Sequence, residues 1–317
     1  MKKRMVLLSA LVLCGCMLIG AGAADTASQT QLTRQAITHF QQSPPEKDTS
    51  YPEHTAWKSW QIDSCEVLPC RLIEEKDIWK LIFTPSDDRS RWICAVDLSA
   101  GKIITPLFNG SMWKAANDQL LLETGGRYQL CDLNGSLTDV SIPHTGHVLA
   151  VDDQGYVLCQ YPVPRTVRTD SGTMNDTFCQ YTLLGPDFTV LQDGIDQYYN
   201  VGQYDYSCDS ELFYNGLVAV RVGATDWYLP DGGPWPRLYF NSKYMFIDRS
   251  GKTVSSSRYD EVSHENDRWF GCHGTTEYLL DSNGNEREQA NYCYVPSTWA
   301  ENIVEQAEKD GLRLSYH

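Results

Sequence analysis

One short signature recurs along this chain and narrows what it can fold into. An aromatic-led run of β-forming residues ends in Asp, and a Gly follows three residues later. It occurs as Tyr128…Asp132-Leu-Asn-Gly135, Tyr244…Asp248-Arg-Ser-Gly251 and Tyr278…Asp281-Ser-Asn-Gly284, and with one extra residue as Trp92…Asp97-Leu-Ser-Ala-Gly101. Tyr181…Gly185-Pro-Asp187 is a degenerate copy, and Asp152-Asp-Gln-Gly155 has the turn without the aromatic. The chemistry is that of a hairpin: Asp accepts hydrogen bonds from the turn backbone, and Gly takes the positive φ. The Asp positions, counting the degenerate copy, fall at intervals of 35, 55, 61 and 33 residues. Intervals of this size, each with room for three or four strands, belong to closed or stacked β arrays. The sequence therefore predicts an all-β fold, a propeller-like repeat domain of five or six blades over residues 56–295. Short helical caps are expected on both sides of it.

The caps differ in composition from the repeats. Residues 25–55 are polar, with helical character over Gln29–Phe40 and a tether beginning at Ser43-Pro44-Pro45-Glu46. Residues 296–317 predict a C-terminal helix, with Pro296 before it, Ser297 as its cap and Gly311 as its stop.

Glu211-Leu-Phe-Tyr-Asn-Gly216-Leu-Val-Ala-Val220, Lys243-Tyr-Met-Phe-Ile-Asp248-Arg-Ser-Gly251-Lys-Thr-Val254 and Arg258-Tyr-Asp-Glu-Val262 together resemble a WG-type repeat, and Trp269–Gly284 looks like a second, eroded copy. Tyr244-Met245 stands where that family has Trp-Gly, and a long insertion separates Val222 from Lys243. The resemblance implies propeller-like β-repeat domains of exported bacterial proteins, with binding or scaffolding roles. It brings no catalytic residues with it.

The N-terminus sets the expected compartment. Lys2, Lys3 and Arg4 precede an apolar run from Met5 to Gly20, and Ala21-Gly22-Ala23-Ala24 follows. That is a secretory signal peptide over residues 1–24, too short for a good membrane span. A competing reading is a lipoprotein signal, in which Leu13-Cys14-Gly15-Cys16 is a lipobox and Cys16 carries the lipid anchor. No other stretch is apolar enough to span a membrane. The chain has 26 Lys and Arg against 41 Asp and Glu, a net charge of −15 that becomes −18 without the signal. Such a surface does not suit phosphate backbones, so nucleic acid is excluded as a partner. Glycans or proteins outside the cytoplasm remain.

Nine cysteines follow the signal, an odd number with no Cys-x-x-Cys pair. Two local disulfides are expected, Cys65–Cys70 around Pro69 and Cys159–Cys179 on adjacent strands. The candidate ligand site is the insertion, where Asp226, Trp227, Tyr228, Asp231 and Trp235 combine stacking rings with carboxylates, a pairing suited to sugars. The same residues also read as a packing cluster that pins the loop. Tyr198, Tyr199, Tyr204 and Tyr206 with Asp196 and Asp205 form a second aromatic-acidic run. His144-Thr-Gly-His147 has no third ligand at metal spacing, and Asp281–Glu286 lacks the terminal Glu of a calcium loop. No metal or other cofactor is expected. The leading reading is a non-catalytic binding module. The alternative is a carbohydrate-active propeller hydrolase using paired Asp or Glu residues.

Overall fold

The computed structural model describes residues 65–85, 92–97, 99–169, 171–198, 211–229, 238–265, 267–274, 276–292 and 314–315, together with Gln31, Arg34 and Thr38. The described residues form antiparallel sheets joined by short turns, so the fold is all-β as the repeat signature predicts. The chain falls into two compact units, one of Met1–Met112 with Leu120–Thr138 and one of Trp113–Gln119 with Asp139–His317.

In the first unit, β1 (Cys65–Ile73), β2 (Ile78–Pro85), β3 (Trp92–Asp97) and β4 (Lys102–Ile103) pair in chain order, and β5 (Phe108–Asn109) also pairs with β3. β3 is buried along nearly its whole length, which its apolar sequence Trp-Ile-Cys-Ala-Val permits. The second sheet, β6 (Ser111–Lys114), β7 (Leu120–Thr124), β8 (Arg127–Cys131) and β9 (Leu137–Val140), is built around the β7–β8 hairpin.

Three more sheets lie in the second unit. The third is β10 (His147–Val151), β11 (Val157–Thr169), β12 (Gly172–Leu184) and β13 (Val190–Ile195). The fourth is β14 (Gln197–Tyr198), β15 (Leu217–Val222) and β18 (Lys243–Asp248), with Thr253 bridging back to Ile247 as a stub of a fourth strand. The fifth is β19 (Glu261–Glu265), β20 (Arg268–His273), β21 (Thr276–Leu280) and β22 (Glu286–Tyr292).

The recurring turn occupies one slot in all five sheets, the joint between third and fourth strands. In the second sheet the Asp132 carboxylate accepts the N–H groups of Asn134 and Ser136 at 2.8 and 2.9 Å, and Gly135 donates to the Asp132 carbonyl at 3.0 Å. Asp248 and Asp281 repeat this pattern with Ser250 and Lys252, and with Asn283 and Asn285. In the third sheet the degenerate copy keeps the frame: Gly185 takes the Asp position and Phe188 takes the positive φ, at 63°. Asp152–Gly155 makes the same turn between first and second strands.

The glycines also join one sheet to the one before it. A Cβ on Gly135 would stand 2.9 Å from the Ile104 carbonyl, one on Gly251 3.0 Å from Leu191, and one on Gly284 2.6 Å from the Phe246 ring. The fourth sheet shows what this packing encloses. Val218, Val220, Met245 and Ile247 lie in one core with Leu158, Leu183 and Ile195. Leu217, Ala219, Tyr244 and Phe246 lie in another with Tyr259, Trp269 and Leu280. Alternate residues of β15 and β18 thus go to opposite faces, and both faces are covered. Each fully buried Leu or Phe contributes about 1.5–3 kcal/mol.

One excursion departs from this pattern. β11 and β12 are 13 residues each, and β10 and β13 pair only with the halves nearest the turn at Gly155 and Gly185. The far half carries an accessory sheet. β16 (Asp226–Tyr228) joins β11 in parallel at Arg168 opposite Tyr228, β17 (Leu238–Phe240) pairs with β16, and β23 (Leu314–Ser315) pairs with β17.

Several expectations are corrected here. Cys65 and Cys70 sit five residues apart on the extended strand β1, roughly 16 Å at the rise of a strand. A disulfide needs Cα atoms within about 7 Å, so they do not pair; Cys70 is disulfide-bonded, but not to Cys65. Cys159 and Cys179 are both free thiols. The register sets Cys159 opposite Thr182 and Cys179 opposite Pro162, which keeps them apart. Residues 314 and 315 are strand, so the helix expected over 296–317 does not reach them; residues 293–313 lie outside the described residues. Gln31, Arg34 and Thr38 have helical backbone, and the rest of the N-terminal segment lies outside the described residues.

Candidate functional site

The richest array of polar side chains lies on one face of β11 and β12 and runs onto the accessory sheet. Strand alternation gives this face Cys159, Tyr161, Val163, Arg165 and Val167 from β11, opposite Thr182, Gln180, Phe178, Asp176 and Met174 from β12.

Near the turn end of the face, Asp193 collects three partners. Thr182 donates to its carboxylate at 2.6 Å, Tyr161 donates at 3.2 Å, and His144 Nε2 lies at 2.9 Å. The His144 ring stacks on Tyr161 with centroids 4.3 Å apart. His144 is held there by the turn Pro143–Thr145, where it has a positive φ of 57°. Partial burial works to raise the Asp193 pKa, but the bonds from Thr182 and His144 outweigh it and hold the carboxyl below its usual range.

Next along the face is Asp196, which is 2% exposed. It accepts Gln180 Nε2 and the Ala224 N–H, both at 2.8 Å. Burial pushes its pKa up despite those bonds. The Ala224 bond joins the start of the 223–242 excursion to the segment just before Tyr198. Gln180 also accepts from Arg165 Nη2 at 3.2 Å. The Arg165 guanidinium then lies over the Trp227 ring, 4.5 Å from its centroid, while Phe178 meets Trp227 at 6.4 Å, edge to face.

Three of the predicted ligand residues, Asp226, Trp227 and Tyr228, have definite places. Asp226 forms an ion pair with Arg168 and caps the Trp227 N–H. Trp227 is half-buried, and Tyr228 is buried. Asp231 and Trp235 lie outside the described residues, as do Tyr199, Tyr204, Tyr206 and Asp205. Tyr198 is a core residue against Tyr181. Arg165, Arg168, Gln180 and Asp193 join the site although sequence reasoning does not single them out. The signal for Arg165 is the alternation Val163-Pro-Arg165-Thr-Val167, which Pro162 and Pro164 obscure. His144 binds Asp193, whereas His147 lies in β10 opposite Gln160. Among the described residues no group of three side chains could hold a metal ion.

A second polar cluster lies between the fourth and fifth sheets. Arg221 is fully buried, its guanidinium 4.4 Å from the Tyr244 ring centroid, and it donates to the Asp260 carbonyl at 2.9 Å and to Glu261 at 2.8 Å. Burial pushes Glu261 up to about 7, against the pull of Arg221. Asp260 pairs with Lys243 and accepts the Gly274 N–H at 2.8 Å. These two bonds outweigh burial and lower its pKa. Arg221 and Asp260 tie strands of adjacent sheets, a structural role.

No helix among the described residues is long and apolar enough to cross a membrane. No known family profile matches the chain, and no curated protein matches it. Among solved structures the chain is similar to BBS1N, crystallised in complex with ARL6DN. The two are 10% identical with a TM-score of 0.26, over 73% of this chain and 68% of that one.

Proposed function

We propose that the chain is an exported β-repeat binding module of propeller-like, WG-repeat type, whose ligand face is the junction of β11, β12 and the accessory sheet. The accessory sheet carries this reading. It is where three short strands, Asp226–Tyr228, Leu238–Phe240 and Leu314–Ser315, leave the four-strand pattern and build onto one overlong hairpin. Additions to a rigid β scaffold are where binding residues concentrate. The face offers an aromatic ring, the Arg165 guanidinium, an amide and the carboxylate of Asp193, a set that suits the hydroxyls and CH faces of a glycan or the polar rim of a protein partner.

Export follows from the signal-like N-terminus, with soluble release and lipid anchoring at Cys16 as its two forms. The disulfide-bonded state of Cys70 and Cys272 favours an oxidising compartment. The hydrolase reading is less favoured. Asp193 and Asp196 are shifted in opposite directions, as an acid–base pair would be. Yet Asp196 is buried with both oxygens bonded, leaving only Asp193 open to a substrate.

A glycan array probed with the chain lacking residues 1–24 tests the site. Binding that is lost in Trp227→Ala and in Arg165→Ala, while both variants remain folded, supports it. Binding unchanged in both variants overturns it.

A further inference from the structure

The geometry points to a second binding site, on the fifth sheet, for a carboxylate-bearing sugar such as a hexuronate. It is independent of the accessory-sheet reading. A cleft of about 450 Å³ is lined by Arg268 of β20, Leu279 and Leu280 of β21, and Arg287 and Glu288 of β22. That volume lies within the range of small-molecule sites. A β-bulge builds it: Leu279 opposes Glu288 and Leu280 opposes Glu286, so Arg287 is the extra residue. Bulges break strand alternation and re-aim side chains, which brings Arg287 to the same cleft as Arg268.

The charge of these residues is the second observation. In a chain where acids outnumber bases, 41 to 26, Arg71, Arg168, Arg221 and Arg249 each pair with a carboxylate. Arg268 and Arg287 make no ion pair with a described residue, although Glu288 lines the same cleft. Two guanidiniums can grip one carboxylate through parallel N–H bonds. Leu279 supplies an apolar contact for the CH face of a pyranose, whereas the Leu280 side chain packs into the core behind the cleft, and Glu288 can accept from a ring hydroxyl. A neutral sugar would leave both arginines unengaged, and a bare oxyanion would leave Leu279 untouched.

The test is NMR titration of the chain lacking residues 1–24 with sodium glucuronate, glucose and inorganic phosphate. Glucuronate is expected to bind with a Kd on the order of 1 mM, as its size allows, and to shift the methyl signals of Leu279 while leaving those of the buried Leu280 in place. Arg268→Gln and Arg287→Gln are each expected to weaken it tenfold or more. Both arginines are exposed, so the melting temperature should not change. Glucose binding as tightly as glucuronate would overturn the site, as would unchanged glucuronate affinity in both variants. Phosphate binding equally well with silent Leu279 methyls would overturn the sugar assignment.

Discussion

Gly284 sits directly against Phe246, so close that a Cβ at position 284 would stand 2.6 Å from the ring. The glycine belongs to the Asp281 turn of the fifth sheet and the ring to β18 of the fourth, so one residue serves both the turn and the contact between sheets. Tyr259 closes the joint by donating its hydroxyl to the Gly284 carbonyl at 2.9 Å.

Replacing that glycine should therefore cost more than its backbone conformation alone. Gly284→Ala combines a positive φ of 71° with the clash and should destabilise by about 3 kcal/mol or more. Gly216→Ala has a φ of 78° and open space around it, so only the backbone cost of about 1 kcal/mol applies. Urea unfolding of the two variants checks the difference; equal losses would remove the joint.

Glu261 should give the fold a measurable pH dependence. Its folded-state pKa is raised from 4.5 to about 7, so its protonated form is the one the fold accommodates. The stability it contributes is complete below pH 4.5 and fades as pH rises through about 7. Because a third of the side chain is exposed, solvent screening limits the effect to about 1–2 kcal/mol. Glu261→Gln should abolish that slope between pH 5 and 7, whatever its constant offset, when melting temperatures are compared with the parent protein.

Asp193 supplies a test of the other sign. Its lowered pKa owes part of its shift to His144, so His144→Ala should move the carboxyl upward in a carbon-detected NMR titration. Stability held by this group is present at neutral pH and is lost on acidification through the lowered pKa. An unchanged Asp193 titration would show that the 2.9 Å contact does not act on it.

The thiols should divide by chemistry. Burial pushes the Cys159 thiol up to about 12 and Cys131 up to about 11, and raises Cys94 as well. Thiolate is the reactive form, so iodoacetamide at neutral pH should spare these three in the folded chain. Denaturation without reductant should expose them, together with Cys179, while Cys70 and Cys272 label only after reduction. Mass spectrometry of the peptides reads the pattern.

The repeat was legible in the sequence because its turn chemistry is local. The carboxylates of Asp132, Asp248 and Asp281 accept from residues two and four positions on and their carbonyls from the glycine three positions on, and short-range bonds leave a fixed spacing. Even the degenerate copy at Gly185 fills its expected slot, with Phe188 replacing the glycine. The candidate site was half legible. Asp226 and Trp227 stood out by composition, but their partners Arg168 and Arg165 come from 58 and 62 residues earlier, on a strand whose prolines hid its length. The disulfides failed for the same reason. Neighbouring cysteines suggested local bridges, whereas extension along β1 and the β11–β12 register separate them.

The distinction between binding and turnover is the most direct measurement. Glycans retained on an array by the chain lacking residues 1–24 should be incubated with it in solution and assayed for released reducing ends. Retention with no release is the expected result. Release of reducing ends that stops in Asp193→Asn would make the chain a hydrolase and contradict its assignment as a binding module.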